Sequence, residues 1–153
     1  MHSIRVSHPK MSFSSAHFVV SGGVCEALHG HNYAVEVVIA GALDELGMVL
    51  DFRVVKNAVA KVCKTLDHKI LLPGHSPIIE LEEEEDSIIV YAEGKTYRFP
   101  SDDCKILPIH ATTAELLAEY IFTSLGFPTS LKVSVCVSES VGSTACFSSN
   151  EMK

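Results

Sequence analysis

The sequence predicts an α+β domain built on an antiparallel sheet. Three observations carry this. Residues 29–41 and 131–138 alternate apolar and polar side chains, which is the period of a half-buried strand. Residues 52–66 and the stretch opened by Thr112 repeat apolar side chains at helical spacing. The coarse order is β-β-α-hairpin-α-β-β, with strands in neighbouring pairs and helices between the pairs.

Each element has its own justification. Residues 2–7 and 11–20 are strand-like and meet at Pro9, whose missing N–H calls for a bulge or bend. Ser21-Gly22-Gly23 reads as a turn that delivers the chain to Cys25. In the strand from His29, the residues Tyr33, Val35, Val37 and Ile39 share one face, and His29 and His31 fall on the same parity. An antiparallel pairing of residues 11–20 with 29–41, joined through 21–28, brings His17 beside both histidines. Asp51 is placed as a helix N-cap, followed by the stripe Val55, Ala58, Val59, Val62 and Leu66, with Cys63 packed beside it.

Residues 73–108 read as a loop around His75, a solvated acidic run from Glu80 to Asp86, and a β-hairpin of 87–91 with 95–99. Thr112-Thr113-Ala114-Glu115 fits a capping box with Thr112 at the cap and Glu115 three residues on. The stripe Leu116, Leu117, Tyr120, Ile121 and Leu125 then ends at Gly126 and Pro128. In strand 131–138 Cys136 shares the side of Ser134, Glu139 falls at or just past the strand end, and residues 144–148 pair back.

At 153 residues the chain is expected to be one domain, 1–153. Apolar residues at 47% and charged residues at 20% exclude a disordered chain. No apolar run is long enough for a membrane helix, and the formal net charge of −7 argues against nonspecific nucleic-acid binding. The first residues have no signal-peptide architecture. The cysteines at 25, 63, 104, 136 and 146 include no CxxC pair, so neither a disulfide framework nor a structural zinc knuckle is expected, and a reducing cytoplasm is the expected location.

The chemistry concentrates in Cys25-Glu26-Ala27-Leu28-His29-Gly30-His31, which sets a thiol, a carboxylate and two imidazoles within seven positions. Two histidines on one strand face form a metal pair, and zinc is the commonest ion in a histidine-rich site. His17 as third ligand completes the catalytic pattern of three protein ligands and one open position. Asp67-His68 at the helix end has two readings that spacing alone leaves open. One is a histidine favoured by the helix dipole; the other is a carboxylate–imidazole pair that fixes one tautomer.

The chain resembles the 6-pyruvoyl-tetrahydropterin synthase family, including its 6-carboxy-tetrahydropterin synthase members. The likeness rests on Phe13-Ser14-Ser15-Ala16-His17-Phe18, on Cys25 with His29-Gly30-His31-Asn32-Tyr33, and on Gly47-Met48-Val49-Leu50-Asp51-Phe52. It continues in Leu66-Asp67-His68, Thr112-Thr113-Ala114-Glu115 and Glu139. Residues 73–108 lie outside it, as an insertion relative to compact members.

The resemblance implies a tunnelling fold: a four-stranded antiparallel sheet with two helices on one face, here with an inserted β-hairpin. It implies a homo-oligomer, usually a hexamer made as a dimer of trimers, with active sites between subunits. It implies zinc on His17, His29 and His31, and a carbon–oxygen lyase acting on 7,8-dihydroneopterin triphosphate, with magnesium assisting the phosphates. Cys25 then corresponds to the base, Asp67 and His68 to a proton relay, Glu139 to the residue that binds the pterin edge, and Thr112 and Thr113 to pterin contacts. The product is 6-pyruvoyl- or 6-carboxy-tetrahydropterin. Glu26 is a departure, because some relatives use a glutamate near this place and cleave the side chain to 6-hydroxymethyl-dihydropterin. A non-catalytic zinc- or pterin-binding protein on the same fold is the third reading.

Overall fold

The computed structural model describes residues 1–149. In chain order its elements are β1 (His2–His17), β2 (Val20–Ser21), β3 (Val24–Cys25), β4 (His29–Gly41), α1 (Phe52–Leu66) and β5 (Lys69–Pro73). Then come β6 (Ile79–Glu84), β7 (Ser87–Ala92), β8 (Lys95–Pro100), β9 (Cys104–Leu107), α2 (Ala114–Leu125), β10 (Lys132–Ser140) and β11 (Ser143–Ser148).

The α+β class is as expected, but the main sheet is wider than four strands. Its order is β11-β10-β4-β1-β5-β9. The four antiparallel strands are β11, β10, β4 and β1, and β5 and β9 extend the sheet in parallel. Those two strands, Lys69–Pro73 and Cys104–Leu107, are only five and four residues long, too short for a period of two to announce them. The segment expected to hold an inserted β-hairpin is likewise more than a hairpin. It is a three-stranded sheet β6-β7-β8, whose outer strand carries most of the acidic run with its glutamates exposed.

Both helices cover one face of the main sheet. Val55, Val59 and Leu66 of α1 and Leu117 and Ile121 of α2 pack with Phe13, Tyr33, Val35, Val37, Val133, Val135 and Val137 in one buried cluster. These strand residues are the single parity that the alternation predicts. Asp51 caps α1 by accepting from the Arg53 N–H at 2.8 Å. The cap of α2 is Thr113, not Thr112: the Thr113 side chain accepts from the Leu116 N–H, while Thr112 is drawn into the core. Gly126 closes α2 at φ 58°, a left-handed conformation that suits glycine.

Two irregularities shape the site. Between Ser7 and Ser12 the β1–β4 register shifts, so residues 8–11 stand opposite Val35 alone; this is the bulge that Pro9 requires. A second shift lies between Ser138 and Ser140, and Glu139 is the residue it leaves out of the β10–β11 register.

The cysteines depart from expectation at one point. Cys136 and Cys146 are bonded to each other across β10 and β11. They stand directly opposite in the ladder, a proximity that sequence spacing alone does not reveal. Cys25, Cys63 and Cys104 are free.

Candidate active site and metal centre

The β1–β4 ladder assembles the three histidines. His17 at the end of β1 is paired with His29 at the start of β4, and Ser15 is paired with His31. The ligand atoms of His17, His29 and His31 lie within 4.8 Å of one another. The Nδ1 atom of His17 is 2.8 Å from the Thr112 carbonyl oxygen, and that of His29 is 2.7 Å from the Ala27 carbonyl oxygen. A carbonyl only accepts, so each Nδ1 carries the proton and each Nε2 presents a lone pair. The Nε2 atoms of His29 and His31 are 3.0 Å apart.

Carbonyl oxygens that hold the far nitrogen of a ligating imidazole are the usual support of a metal site. The His17 pKa lies below its ordinary value. Burial is the main cause, opposed by the Thr112 carbonyl bond and reinforced by His29. A neutral imidazole is the form that binds metal. The donor set therefore fits a tetrahedral divalent ion with one open position.

The residue between the two β4 histidines sits at a tight approach of β1. A Cβ on Gly30 would stand 3.2 Å from the Ser15 carbonyl oxygen, because β1 passes close by.

Cys25 and Glu26 go to different places. Adjacent residues of an extended segment point to opposite sides. Glu26 turns toward a pocket of about 560 Å³ that is also lined by the three histidines, Thr113 and Glu139. One of its oxygens accepts from the Val19 N–H at 2.8 Å, and its own N–H donates to the Val19 carbonyl at 3.1 Å. Cys25 is only 6% exposed. It packs with Phe18, Leu72, Ile79, Ile88 and Val90 in a second apolar cluster, and its Sγ lies 3.4 Å from the Glu26 carbonyl oxygen.

Asp67 and His68 do form a pair, at 2.9 Å between Oδ2 and Nδ1. The other Asp67 oxygen accepts from the Ser14 N–H at 2.8 Å. That bond first, and the His68 contact second, hold the carboxyl below its ordinary range. The His68 side chain is 82% exposed and borders a neighbouring groove with Ser14, Gly30, His31, Asn32 and Lys69, so that His31 lines both. Within one chain the pair does not line the pocket of the three histidines.

Thr112 and Thr113 also separate. Thr113 lines the pocket. Thr112 is buried, its hydroxyl donating to the Phe18 carbonyl at 3.3 Å and its carbonyl orienting His17. The backbone groups of Thr112, Ala27 and Val19 that orient the site carry no signal in the sequence. Lys95 of β8, whose Nζ donates to the Glu26 carbonyl at 3.4 Å, was hidden by its distance along the chain.

The sequence profile of the 6-pyruvoyl tetrahydropterin synthase family matches residues 7–150. The chain belongs to that family. It is 34% identical to a proposed 6-carboxy-5,6,7,8-tetrahydropterin synthase of Methanocaldococcus jannaschii, over 92% of this chain and 91% of that one. It is 31% identical to the 6-carboxy-5,6,7,8-tetrahydropterin synthase of Haemophilus influenzae, over 82% and 84% respectively. The Plasmodium falciparum 6-pyruvoyl tetrahydropterin synthase superposes with a TM-score of 0.92 at 33% identity, covering 98% of both chains. A Plasmodium vivax 6-pyruvoyltetrahydropterin synthase, solved with a catalytic glutamate replaced by alanine, gives 0.91 at 32% identity and the same 98% coverage of both. As a member of this family the chain is an enzyme of the tetrahydropterin-synthase type, on a tunnelling fold with a histidine triad suited to a metal.

Proposed function

We propose that this enzyme acts on 7,8-dihydroneopterin triphosphate at a zinc ion held by His17, His29 and His31, with Glu26 as the base. The observation that carries this reading is the division between neighbours: Glu26 faces the pocket of the three histidines, and Cys25 faces an apolar cluster. The P. vivax relative, whose catalytic residue is a glutamate, supports it.

Zinc bound there supplies a Lewis acid for the side-chain oxygens of the substrate. The Val19 N–H holds one Glu26 oxygen and leaves the other to take a proton from a side-chain hydroxyl. Loss of that proton turns the hydroxyl carbon into a carbonyl and breaks its bond to the ring-side carbon. The electron pair passes to the ring-side carbon, which then takes up a proton. The products are 6-hydroxymethyl-dihydropterin and a two-carbon aldehyde that carries the triphosphate away. Glu139 receives the pterin, since a carboxylate offers two acceptors to paired N–H donors on its edge. Thr113 borders the same pocket.

A second reading follows from the 6-carboxy-tetrahydropterin synthase relatives. In it triphosphate is eliminated, the product is 6-carboxy- or 6-pyruvoyl-tetrahydropterin, and Cys25 is the base. Asp67 and His68 serve either reading as a proton relay for a neighbouring subunit. Their exposure on one chain and the family's habit of siting active sites between subunits, in a hexamer of two trimers, support that role. Magnesium on the substrate phosphates and a cytoplasmic location belong to the same proposal.

The test is product analysis by mass spectrometry after incubation of zinc-loaded protein with dihydroneopterin triphosphate. Wild type, Cys25→Ala and Glu26→Ala are compared. A 6-hydroxymethyl product that disappears in Glu26→Ala supports the first reading. A 6-carboxy or 6-pyruvoyl product lost in Cys25→Ala and kept in Glu26→Ala moves the base to Cys25. Bound pterin without turnover leaves a binding protein.

A further inference from the structure

We propose that the inserted sheet β6-β7-β8 is the support that holds the Glu26 carboxylate over the three histidines, with Lys95 and Cys25 as its two attachments. This inference rests on Glu26 being the base. It gives the insertion a task in the reaction, and makes Lys95 and Cys25 positioning residues.

Glu26 ends a very small hairpin. Strands β2 and β3 share only the pairs Val20 with Cys25 and Ser21 with Val24. The turn between them is Gly22-Gly23, at φ 58° and 75°, and Ser21 through Val24 are exposed. A two-stranded ribbon of this size does not hold its own shape in water. Its position must come from what it is packed on.

The inserted sheet supplies most of that support, beside Leu72 of β5. Cys25 and Phe18 are buried with Leu72, Ile79, Ile88, Val90 and Ala92, and Val20 and Tyr97 pack against the same cluster. The Phe18 and Tyr97 rings stack with centroids 5.2 Å apart. These contacts grip the chain on the residue before Glu26. Lys95, just after the Glu93-Gly94 turn, grips the residue itself through its carbonyl oxygen at 3.4 Å. The main chain at Glu26 is thus held from the side of the insertion, while its side chain swings the opposite way to the Val19 N–H and the pocket.

The consequence is kinetic. A base misplaced by about 1 Å costs on the order of a hundredfold in rate even when no reacting group is lost. Loosening either attachment therefore lowers kcat and leaves the zinc ligands and pterin contacts unchanged. Cys25 acts here by filling space, not by its thiol.

The experiment uses the zinc-loaded full chain and the variants Lys95→Met, Cys25→Ala and Cys25→Val. Zinc content, kcat and KM are measured for all. Iodoacetamide labelling of Cys25, resolved by peptide mass spectrometry, is measured for wild type and Lys95→Met. Lys95→Met is expected to speed Cys25 labelling by about tenfold, as local opening of the hairpin becomes more frequent. Its kcat falls by about tenfold with zinc content and KM at wild-type values. Cys25→Ala loses rate through the void it leaves, and Cys25→Val recovers most of the loss by refilling it.

Wild-type labelling and kcat in Lys95→Met would overturn the proposal. Equal inactivity of Cys25→Ala and Cys25→Val would also overturn it, because it assigns chemistry to the thiol. Glu26→Gln, assayed in parallel, tests the base separately: full activity there removes the base assignment, and the labelling result alone then decides whether the insertion holds the hairpin.

Discussion

The Nδ1 nitrogen of His17 is bound to the carbonyl oxygen of Thr112, the residue just before the N-cap of α2. The last residue of β1 is thereby locked to the entry of a helix from the other end of the chain. Thr112 reinforces the link with its hydroxyl on the Phe18 carbonyl. The His17 ring is thereby presented Nε2-first to the β4 histidines.

His29→Ala tests that presentation. His29 is half-buried at the strand start, and its removal opens no void in the main core. The variant is expected to fold, with the circular dichroism spectrum of wild type, and to lose both bound zinc and turnover. Metal content read by atomic emission checks it. A metal-free variant that still turns over substrate would remove zinc from the reaction.

Gly30→Ala tests how closely β1 and β4 must approach. The added methyl would meet the Ser15 carbonyl oxygen at 3.2 Å. Ser15 cannot easily retreat, because its hydroxyl is bound to the Leu66 carbonyl at 2.5 Å. Overpacking of this kind costs about 1–3 kcal/mol. The strand shift also moves His29 and His31 relative to His17, so zinc affinity is expected to fall by about tenfold. Urea unfolding of the metal-free protein and a zinc titration measure the two effects. Wild-type values in both would show that the ladder has more room than the structure gives it.

Much of this site is legible in the residue order. The parity of His29, His31 and Tyr33 gives one strand face, and the bulge at Pro9 leaves the pairing of His17 with His29 intact. Helix α1 has its expected bounds and its Asp51 cap. What is not legible has a common cause: it depends on contacts between segments far apart in the chain. The strands β5 and β9 are too short to show a period. The cap of α2 falls on Thr113 because Thr112 is taken by Phe18 and His17, which no capping pattern encodes. The opposite fates of Cys25 and Glu26 follow from a small hairpin packed on Leu72 of β5 and on the sheet β6-β7-β8, both distant along the chain.

Asp67→Asn tests the acid-side stability. The folded-state pKa of Asp67 is lowered from its ordinary 3.8, by the Ser14 N–H first and His68 second. A depressed carboxyl contributes stability that is fully present above its unfolded value and is lost as pH falls through its folded value. The gap in unfolding midpoint between wild type and Asp67→Asn is therefore expected to be constant from neutral pH down to about 5 and to shrink below about 4. Urea midpoints across that range check it. A gap that widens on acidification would mean that Asp67 is not held ionised by these partners.

Tyr33→Phe tests a buried hydroxyl. Tyr33 is fully buried, its ring stacks on Phe13 with centroids 4.7 Å apart, and its oxygen has no hydrogen-bond partner among the described residues. Burial, with Glu139 and Glu26 adding to it, pushes the phenol pKa up, so it stays protonated. An unpaired buried hydroxyl costs about 1–3 kcal/mol, and phenylalanine keeps the ring contacts without it. The variant is expected to match wild type in zinc content and to equal or exceed it in stability, by up to about 1 kcal/mol in urea unfolding of the metal-free protein. A clear loss of stability would show instead that the hydroxyl binds a buried water, and would make Tyr33 part of the polar network around the histidines.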